Sequence, residues 1–233
     1  MANEANLVLI PGLLCTAELF GPQVSAFSKS HAIEVADHTS SSSLSEIAKT
    51  ILAKAPPRFA LAGLSMGGYI AFEILKQAPE RVTRLALLDT NARADRPEQA
   101  QQRRDLVAAA RRDGLAAAAD KLLPLLIHPA RLSDGPLTSL VRRMAEETGV
   151  EVFARQQEAI IARPDNRPFL PSIRCPTLII VGAEDAITPV KVAEEMRAGI
   201  TGSRLEVIAD CGHLATLERP ETVNRLLADW LAA

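Results

Sequence analysis

Short runs of consecutive apolar residues recur along the chain, and turn residues or polar segments bound each of them. Such runs are typical of strands that are buried on both faces of a parallel sheet. The first run is stopped by Pro11 and Gly12. Together with runs that polar residues interrupt, at residues 32–35, 82–88 and 205–208, the pattern predicts six strands, of which the other three are residues 7–10, 59–62 and 177–181.

Apolar residues at helical spacing fill most of the intervals between these runs. Helices are predicted at residues 17–28, 44–55, 68–75, 190–198 and 221–231. Ser43 is suited to cap the second helix, while Gly21 and Pro22 interrupt the first one and are candidates for its true start. Strands that alternate with helices in this way indicate βαβ units and a mostly parallel sheet.

The segment between residues 91 and 171 differs in composition, since it is rich in Ala, Arg, Gln and Glu and has no convincing strand. Four helices are predicted in it, at residues 98–112, 115–126, 137–148 and 150–162. We therefore expect one α/β core, formed by residues 1–90 and 172–233, with an all-helical segment of residues 91–171 inserted between two strands of its sheet.

The overall composition favours a soluble globular protein, because 48% of the 233 residues are hydrophobic and 23% are charged. A net charge of −2 with interspersed signs offers no basic surface for nucleic acid. The N-terminal segment has neither the charge of a signal peptide nor the apolar length of a membrane span, so a cytoplasmic location is expected. The three cysteines, at positions 15, 175 and 211, are an odd number without metal-ligand spacing and indicate free thiols.

Residues 63–67, Gly63-Leu64-Ser65-Met66-Gly67, join the third predicted strand directly to the helix after it. Between a strand and a helix, the G-x-S-x-G pattern is typical of a nucleophile elbow, a sharp turn that presents its serine at the end of the sheet. The pattern by itself is weak evidence, since Gly and Ser are common residues. The identification of Ser65 as a nucleophile therefore depends on a base and a carboxylate later in the chain.

A serine nucleophile needs a histidine base and a carboxylate that fixes the tautomer of that histidine. In hydrolases with this elbow the three residues follow the order Ser, Asp, His along the chain, so the base is expected after the last strand. Of the four histidines, only His213 lies there. Asp185 lies just beyond the fifth strand and is the favoured carboxylate, with its neighbour Glu184 as the rival. The other histidines precede the elbow or lie in the helical insertion: His31, His38 and His128.

The tetrahedral intermediate of acyl transfer carries a negative oxygen that two backbone N–H groups must stabilise. One donor follows the nucleophile and the other lies in the loop after the first strand of this chain, which indicates the N–H groups of Met66 and Leu13 as the oxyanion hole. Cys15 and Cys211 lie near the expected site and are rival nucleophiles, although neither occupies an elbow.

Together these motifs resemble those of the α/β-hydrolase fold family. The resemblance rests on Pro11-Gly12, residues 63–68, residues 182–185 with Pro189, and residues 211–213 with residues 218–221. It covers nearly the whole chain except the insertion, and within the superfamily the chain resembles small carboxylesterases such as the pimeloyl-ester esterases. It implies an α/β-hydrolase fold without the usual first two antiparallel strands, and a helical cap formed by the insertion. Pro11 stands where many relatives have His in the oxyanion loop, and how this affects the loop is left open.

The resemblance and the three side chains predict a serine hydrolase that cleaves carboxylic esters of small to medium aliphatic acyl groups through an acyl-enzyme. No cofactor or metal is expected, since the sequence has no cluster of ligands at metal spacing. The same triad serves lactone and thioester hydrolysis, perhydrolysis and carbon–carbon bond cleavage, and a non-catalytic binding protein of this fold is a further alternative.

A cap roofs the active site in this fold, and aromatic residues make up only 3% of the chain. We therefore expect an aliphatic pocket for a small-molecule ester. Its expected lining consists of Leu13, Leu14, Met66, Leu122, Leu126 and Phe153. The sequence carries no prediction of the oligomeric state.

Overall fold

The structure is a computed structural model that describes residues 6–232 and contains a six-stranded sheet flanked by helices. The strands are β1 (Leu7–Ile10), β2 (Ile33–Val35), β3 (Phe59–Leu64), β4 (Val82–Leu88), β5 (Thr177–Gly182) and β6 (Arg204–Ile208). They are paired in parallel in the order β2-β1-β3-β4-β5-β6. The predicted parallel sheet is confirmed, with strand boundaries that shift by one or two residues.

Ten α-helices are present within the described residues. They are α1 (Gly21–Phe27), α2 (Leu44–Lys54), α3 (Met66–Gln77), α4 (Pro97–Asp113), α5 (Leu115–Leu126), α6 (Gly135–Thr148), α7 (Val150–Ile161), α8 (Val190–Gly199), α9 (Ala215–Glu218) and α10 (Pro220–Ala232). The helix predicted at residues 17–28 is a 3₁₀ turn, Ala17–Phe20, followed by α1 with Pro22 in its first turn, where a missing N–H costs no hydrogen bond. None of these helices has both the length and the apolar character that a membrane crossing requires.

The side chains of the sheet alternate between two hydrophobic layers. Val8 and Ile10 of β1 pack in a layer that includes residues of α2, α3 and α8. Leu7 and Leu9 pack in the opposite layer, with residues of α1 and α10. Every residue of β1, β3 and β5 is buried, and burial on both faces is the reason why these strands appear in the sequence as continuous apolar runs.

The strand order places a crevice between β1 and β3. After β1 the chain adds β2 on one side, and it then returns to place β3 on the other side of β1. The connections that leave the carboxyl ends of β1 and β3 therefore diverge to opposite faces of the sheet. Residues 11–14 follow one of these ends and Ser65 follows the other, so both flank the crevice.

The helical insertion lies between β4 and β5, and α4 to α7 match the predicted helices to within two residues. It has a small hydrophobic cluster of its own that contains Val107, Phe153 and several alanines. Leu14, from the loop after β1, is part of the same cluster. The insertion thus packs directly on the loop that borders the crevice.

Candidate active site

Ser65 lies at the junction of β3 and α3, with φ 53° and ψ −111°. This left-handed region is strained for a residue that carries a side chain. Gly63 and Gly67 make the turn possible, because a Cβ on Gly63 would collide with the Gly67 carbonyl and one on Gly67 would collide with the Ile10 carbonyl. The close approach of strand and helix therefore holds Ser65 at the carboxyl end of the sheet.

Three side chains from separate parts of the chain meet at this point. His213 Nε2 lies 2.9 Å from Ser65 Oγ, and His213 Nδ1 lies 2.7 Å from Asp185 Oδ2. These contacts suit a histidine that donates from Nδ1 to the carboxylate and accepts the serine proton at Nε2. His213 is 2% exposed and Asp185 is 3% exposed, so little water competes for either hydrogen bond.

Asp185 is held by the turn that follows it. Its Oδ1 accepts hydrogen bonds from the N–H groups of Ile187 and Thr188, both at 2.8 Å, and its Oδ2 accepts one from the Thr188 hydroxyl at 2.6 Å. Burial by itself would raise the pKa of Asp185, but the interactions with His213 and Thr188 outweigh it and hold the pKa below its ordinary value. The carboxylate is therefore ionised at neutral pH.

Glu184, the rival for the same role, does not reach His213. Its Oε2 accepts a hydrogen bond from the Cys211 N–H at 3.0 Å, and much of its side chain is exposed. Glu184 thus stabilises the loop that leads to the histidine, whereas Asp185 contacts the imidazole.

Asp89, a buried carboxyl group that sequence reasoning missed, lies beneath these loops. It follows β4 and accepts hydrogen bonds from the N–H groups of Gly182 at 2.9 Å and Ala215 at 3.2 Å. Burial raises its pKa well above the ordinary value, and the neighbouring Asp185 raises it further. Its position at the carboxyl end of a buried strand, as for Asp185, is the signal that could have drawn attention to it.

The loop of His213 is also connected to the insertion. Buried Glu218 accepts hydrogen bonds from the N–H groups of Gly212 at 2.9 Å and His128 at 2.7 Å. The His213 N–H donates to the Leu126 carbonyl at 3.0 Å. Leu126 is the last residue of α5 and His128 follows two positions later, so backbone groups at the end of this helix bond to the His213 N–H and to the Glu218 carboxylate.

The two predicted oxyanion donors border the crevice. Met66 is the first residue of α3, where N–H groups are free to bind an anion, and Leu13 lies in the loop after β1. Neither N–H donates a hydrogen bond to another residue within the range 6–232. Leu14 has a φ of 59°, a strained conformation at the next position of the loop.

A buried bridge joins this loop to α7. His38 Nε2 lies 2.9 Å from the Gly12 carbonyl oxygen, and the Leu14 N–H donates to Gln156 Oε1 at 3.2 Å. A carbonyl oxygen only accepts, so the Gly12 contact requires the His38 tautomer with a proton on Nε2. Gln156 Nε2 lies 3.0 Å from the same nitrogen, and since both nitrogens then carry protons this contact is not a hydrogen bond. Burial lowers the pKa of His38, so the ring is neutral at neutral pH.

Sequence reasoning missed His38 and Gln156 as parts of this site. Each is a single polar residue outside any motif, and its partners lie more than a hundred positions away or in another loop. Only their burial in the folded chain sets them apart from ordinary surface residues.

The rival nucleophiles are not activated. Cys15, Cys175 and Cys211 are free thiols. Burial raises the pKa of Cys15 to about 12 and also raises the pKa of Cys211, so both sulfurs are protonated at neutral pH. Within the part of the chain that the structure describes, no group of three or more His, Cys, Asp or Glu side chains is arranged to hold a metal ion.

A cavity of about 460 Å³ opens beside Ser65 and His213. Its lining comes from the loops after β1, β3 and β5 and from α4, α5 and α7 of the insertion. Four of the predicted lining residues border it, Leu13, Leu14, Leu122 and Leu126. Another cavity, of about 540 Å³ around Phe169 and Cys175, touches neither Ser65 nor His213.

Two of the predicted lining residues lie elsewhere. Phe153 is fully buried in the hydrophobic cluster of the insertion, and the Met66 side chain is fully buried in the layer that contains α2 and α3. Both predictions were wrong for the pocket, because helical spacing indicates that a side chain is buried but does not show which neighbour covers it. The polar side chains that line the cavity were also missed: Tyr69, Gln99, Gln102, Arg103, Lys121 and Gln157.

The sequence profile of the alpha/beta hydrolase fold family matches residues 3–220. This chain belongs to that family. Among curated relatives, it is 29% identical over 171 residues to 3-oxoadipate enol-lactonase 2 of Acinetobacter baylyi. The aligned residues cover 72% of this chain and 61% of the relative. It is also 29% identical over 177 residues to a 2-hydroxy-6-oxononadienedioate/2-hydroxy-6-oxononatrienedioate hydrolase of Klebsiella pneumoniae. Here the aligned residues cover 74% of this chain and 62% of the relative. The match spans about three fifths of the length of these two relatives.

Solved structures agree with this membership. A thermophilic esterase from Thermogutta terrifontis, determined with malate bound, has a TM-score of 0.90 and 28% identity, and the match covers 98% of this chain and 89% of the esterase. The enol-lactonase from Burkholderia xenovorans LB400 has a TM-score of 0.89 and 27% identity, with 100% and 93% covered. The α/β-hydrolase fold implied by the sequence motifs is therefore confirmed, and the homologues of this chain are hydrolases.

Proposed function

We propose that this protein is a serine hydrolase that cleaves carboxylic esters through Ser65, His213 and Asp185. The observation that carries the proposal is the continuous set of contacts from Ser65 Oγ through the imidazole to the Asp185 carboxylate, at the edge of a cavity large enough for a small substrate. A strained serine, a histidine and an ionised carboxylate in this arrangement are the parts that acyl transfer requires. Membership of a hydrolase family supports the same chemistry.

In the first half of the reaction, Ser65 Oγ attacks the carbonyl carbon of the ester. His213 Nε2 accepts the serine proton and then donates it to the departing alcohol oxygen, which leaves an acyl group on Ser65. Asp185 accepts the hydrogen bond from His213 Nδ1, orients the ring and stabilises the imidazolium while it carries the extra proton.

The negative oxygen of the tetrahedral intermediate accepts hydrogen bonds from the N–H groups of Leu13 and Met66. His38 contributes indirectly, because the C=O of Gly12 and the N–H of Leu13 belong to one peptide unit and point in opposite directions in a trans peptide. A hydrogen bond that fixes the Gly12 oxygen therefore also fixes the direction of the Leu13 N–H. It polarises the same amide and strengthens its N–H as a donor.

In the second half, His213 removes a proton from a water molecule as that water attacks the acyl group. The carboxylic acid leaves, and the proton returns to Ser65 Oγ. The net reaction is one ester and one water converted into one acid and one alcohol, and these steps use protein groups and water alone.

The insertion, residues 91–171, acts as the cap of the site in this proposal. Its helices α4, α5 and α7 provide the part of the cavity wall that faces Ser65. A volume of about 460 Å³ suits acyl groups of small to medium size, and Leu122 and Leu126 supply aliphatic contacts.

Lactone hydrolysis is the second candidate. It is favoured by the similarity, in sequence and in structure, to proteins described as enol-lactonases. A lactone is an internal ester, so the same attack by Ser65 opens the ring and leaves the alcohol attached to the acyl group until water releases both.

Labelling with a fluorophosphonate, combined with p-nitrophenyl esters of rising acyl length and a set of simple lactones, tests the proposal. We expect labelling at Ser65 and turnover of at least one ester or lactone, with Ser65→Ala lowering kcat by about 10⁶ while the melting temperature is retained. Labelling at another residue, or more than a tenth of the activity in Ser65→Ala, would refute the assignment. A correctly folded protein without labelling or turnover would indicate a non-catalytic binding protein.

A further inference from the structure

The cavity beside Ser65 has an asymmetric charge distribution. Two cationic side chains line it from the insertion, Arg103 on α4 and Lys121 on α5. No aspartate or glutamate is part of the lining within residues 6–232. Lys121 is exposed at the rim, and its neighbour Asp120 pairs with Arg142 instead. The wall formed by the insertion is therefore electropositive.

Arg103 belongs to a buried cluster whose charges do not balance. Its Nε lies 2.6 Å from Asp95 Oδ2, and the other oxygen of Asp95 lies 2.7 Å from Arg163 Nη2. The side chains of Asp95 and Arg163 are 1% and 4% exposed. One carboxylate is thus shared by two guanidinium groups, and the cluster has a net charge of +1. Because Asp95 and Arg163 are enclosed, the excess charge is accessible only through Arg103, whose side chain is 22% exposed, and an anion beside Arg103 would balance it.

Arg103 is the member of the cluster that faces the cavity. Arg163 lies over the ring of Tyr69, 4.5 Å from its centroid, and is almost completely enclosed, whereas the Arg103 side chain is 22% exposed. Arg103 Nη1 donates to Gln157 Oε1 at 2.9 Å.

Gln157 adds a second donor beside the guanidinium. It lines the same cavity and is 1% exposed, and its amide nitrogen donates to no other residue in the described range. The cavity wall therefore presents a guanidinium edge next to an unpaired amide N–H group. This combination suits the two oxygens of a carboxylate.

We propose that Arg103 and Gln157 form a subsite for a carboxylate, so that the preferred substrate is an ester or lactone with a carboxylate on its acyl part, away from the scissile bond. The proposal rests on the ester hydrolysis proposed above. Arg103 and Gln157 donate hydrogen bonds to the carboxylate, and the single negative charge balances the excess charge of the cluster. Lys121 attracts the anion at the rim, and Leu106 and Leu122 contact the methylene groups of the substrate.

Matched pairs of esters test this subsite. Monomethyl succinate, glutarate, adipate and suberate are compared with methyl esters of neutral acids with the same number of carbon atoms. We expect the best half-ester to exceed its neutral counterpart in kcat/KM by about tenfold or more, as a desolvated charge-assisted hydrogen bond implies. The chain length of the best half-ester measures the distance from Ser65 to the subsite.

Variants of Arg103 identify the residue responsible. Arg103→Gln leaves Asp95 paired with Arg163, so the fold is retained, and kcat/KM for the half-ester falls by about tenfold or more while that for the neutral ester stays within about twofold. Arg103→Lys keeps the charge without the fork and retains part of the preference. The control is Arg104→Gln, because Arg104 is exposed and does not line the cavity. This variant leaves kcat/KM unchanged for both esters.

Equal turnover of half-ester and neutral ester by the wild type overturns the subsite and leaves ester hydrolysis standing. If Arg103→Gln lowers kcat/KM equally for the half-ester and the neutral ester, the subsite is also overturned. If neither methyl ester is hydrolysed, calorimetry on Ser65→Ala decides the subsite separately, while fluorophosphonate labelling and the p-nitrophenyl ester and lactone panel decide the proposed function. Tighter binding of monomethyl adipate than of methyl hexanoate, abolished when Arg103→Gln is added, supports the subsite, and equal binding refutes it.

Discussion

The two walls of the cavity are built differently. The wall formed by the sheet presents Ser65 and His213, with Asp185 behind the imidazole, and each of the three is strained, buried or held by several hydrogen bonds. The wall formed by the insertion includes exposed side chains, such as Lys121 and Leu125, of which Leu125 is 46% exposed. Bond making requires reacting atoms within a few tenths of an ångström of their productive positions, whereas the selection of a substrate tolerates looser contacts. In the proposed mechanism, chemistry and selectivity therefore depend on different walls of one site.

The two walls are nevertheless connected. Gln156 of α7 accepts the Leu14 N–H, and the Leu126 carbonyl of α5 accepts the His213 N–H. One contact supports the loop of the proposed oxyanion donor Leu13, and the other supports the loop of the proposed base His213. In the proposed reaction, a movement of the insertion that admitted substrate would either preserve these bonds or interrupt catalysis until they formed again.

The largest difference that we expect between neighbouring residues concerns Asp185 and Glu184. Asp185→Asn lowers kcat by about 10⁴, because the amide no longer holds His213 in the tautomer that accepts a proton from Ser65. Glu184→Gln costs less than about tenfold, since its carboxylate accepts a hydrogen bond from the Cys211 backbone and none from His213. Both rates are measured with the best p-nitrophenyl ester, and the reverse ranking would transfer the role to Glu184.

The bridge from His38 should have a smaller effect that is confined to the transition state. His38→Phe releases the Gly12 carbonyl, and we expect kcat to fall by about tenfold with KM nearly unchanged. This fall is smaller than the one expected when an oxyanion donor is removed, because the Leu13 N–H is still present but less well oriented. The affinity for a trifluoromethyl ketone, which forms a tetrahedral oxyanion on Ser65, should fall by the same factor.

Two further variants separate this role from a merely structural one. His38→Gln supplies another N–H donor and should restore part of kcat. His31→Phe alters a histidine whose ring contacts Ser30 and not the loop after β1, so it should leave kcat unchanged. A rise in KM at constant kcat in His38→Phe would mean that His38 shapes the pocket rather than the oxyanion hole.

The insertion offers a matched pair of hydrophobic residues. Leu126→Ala enlarges the cavity and should shift the preferred acyl length by a few methylene groups, while the rate of fluorophosphonate labelling stays within about threefold. Phe153→Ala removes a fully buried ring and should lower the free energy of unfolding by about 3–5 kcal/mol without a shift in preference. Urea unfolding and the ester panel measure the two effects, and a shift in chain length caused by Phe153→Ala would return that residue to the pocket.

The smallest expected effect is the pH dependence of stability. The pKa of Asp185 is lower in the folded protein than in the unfolded chain, so its contribution to the free energy of unfolding is fully present above about pH 5 and is lost as the pH falls through the folded-state pKa. The stability difference between wild type and Asp185→Asn, obtained from urea unfolding, should therefore be larger at pH 7 than at pH 3.5. A difference that grew towards acid would show that the pKa of Asp185 is raised instead.

The prediction of the sheet succeeded for a simple reason. Buried parallel strands leave apolar runs of four to seven residues, and the Gly63-to-Gly67 turn is recognisable because its steric requirements act over five consecutive residues. The split of the first predicted helix at Gly21 followed from equally local rules, since proline is well suited to the first turn of a helix.

The amino-acid sequence by itself thus determined the order of strands and helices, the position of the elbow and the order of Ser65, Asp185 and His213 along the chain. The tertiary structure alone decided which carboxylate contacts His213, that Phe153 faces the interior of the insertion, and that His38 and Gln156 meet at the loop after β1. The excess charge beside Arg103 was equally invisible, because a net charge of −2 for the whole chain says nothing about which groups share a carboxylate. Periodicity and turn chemistry act over a few residues, whereas these contacts join residues as far apart as Leu14 and Gln156 and exist only once the chain has packed.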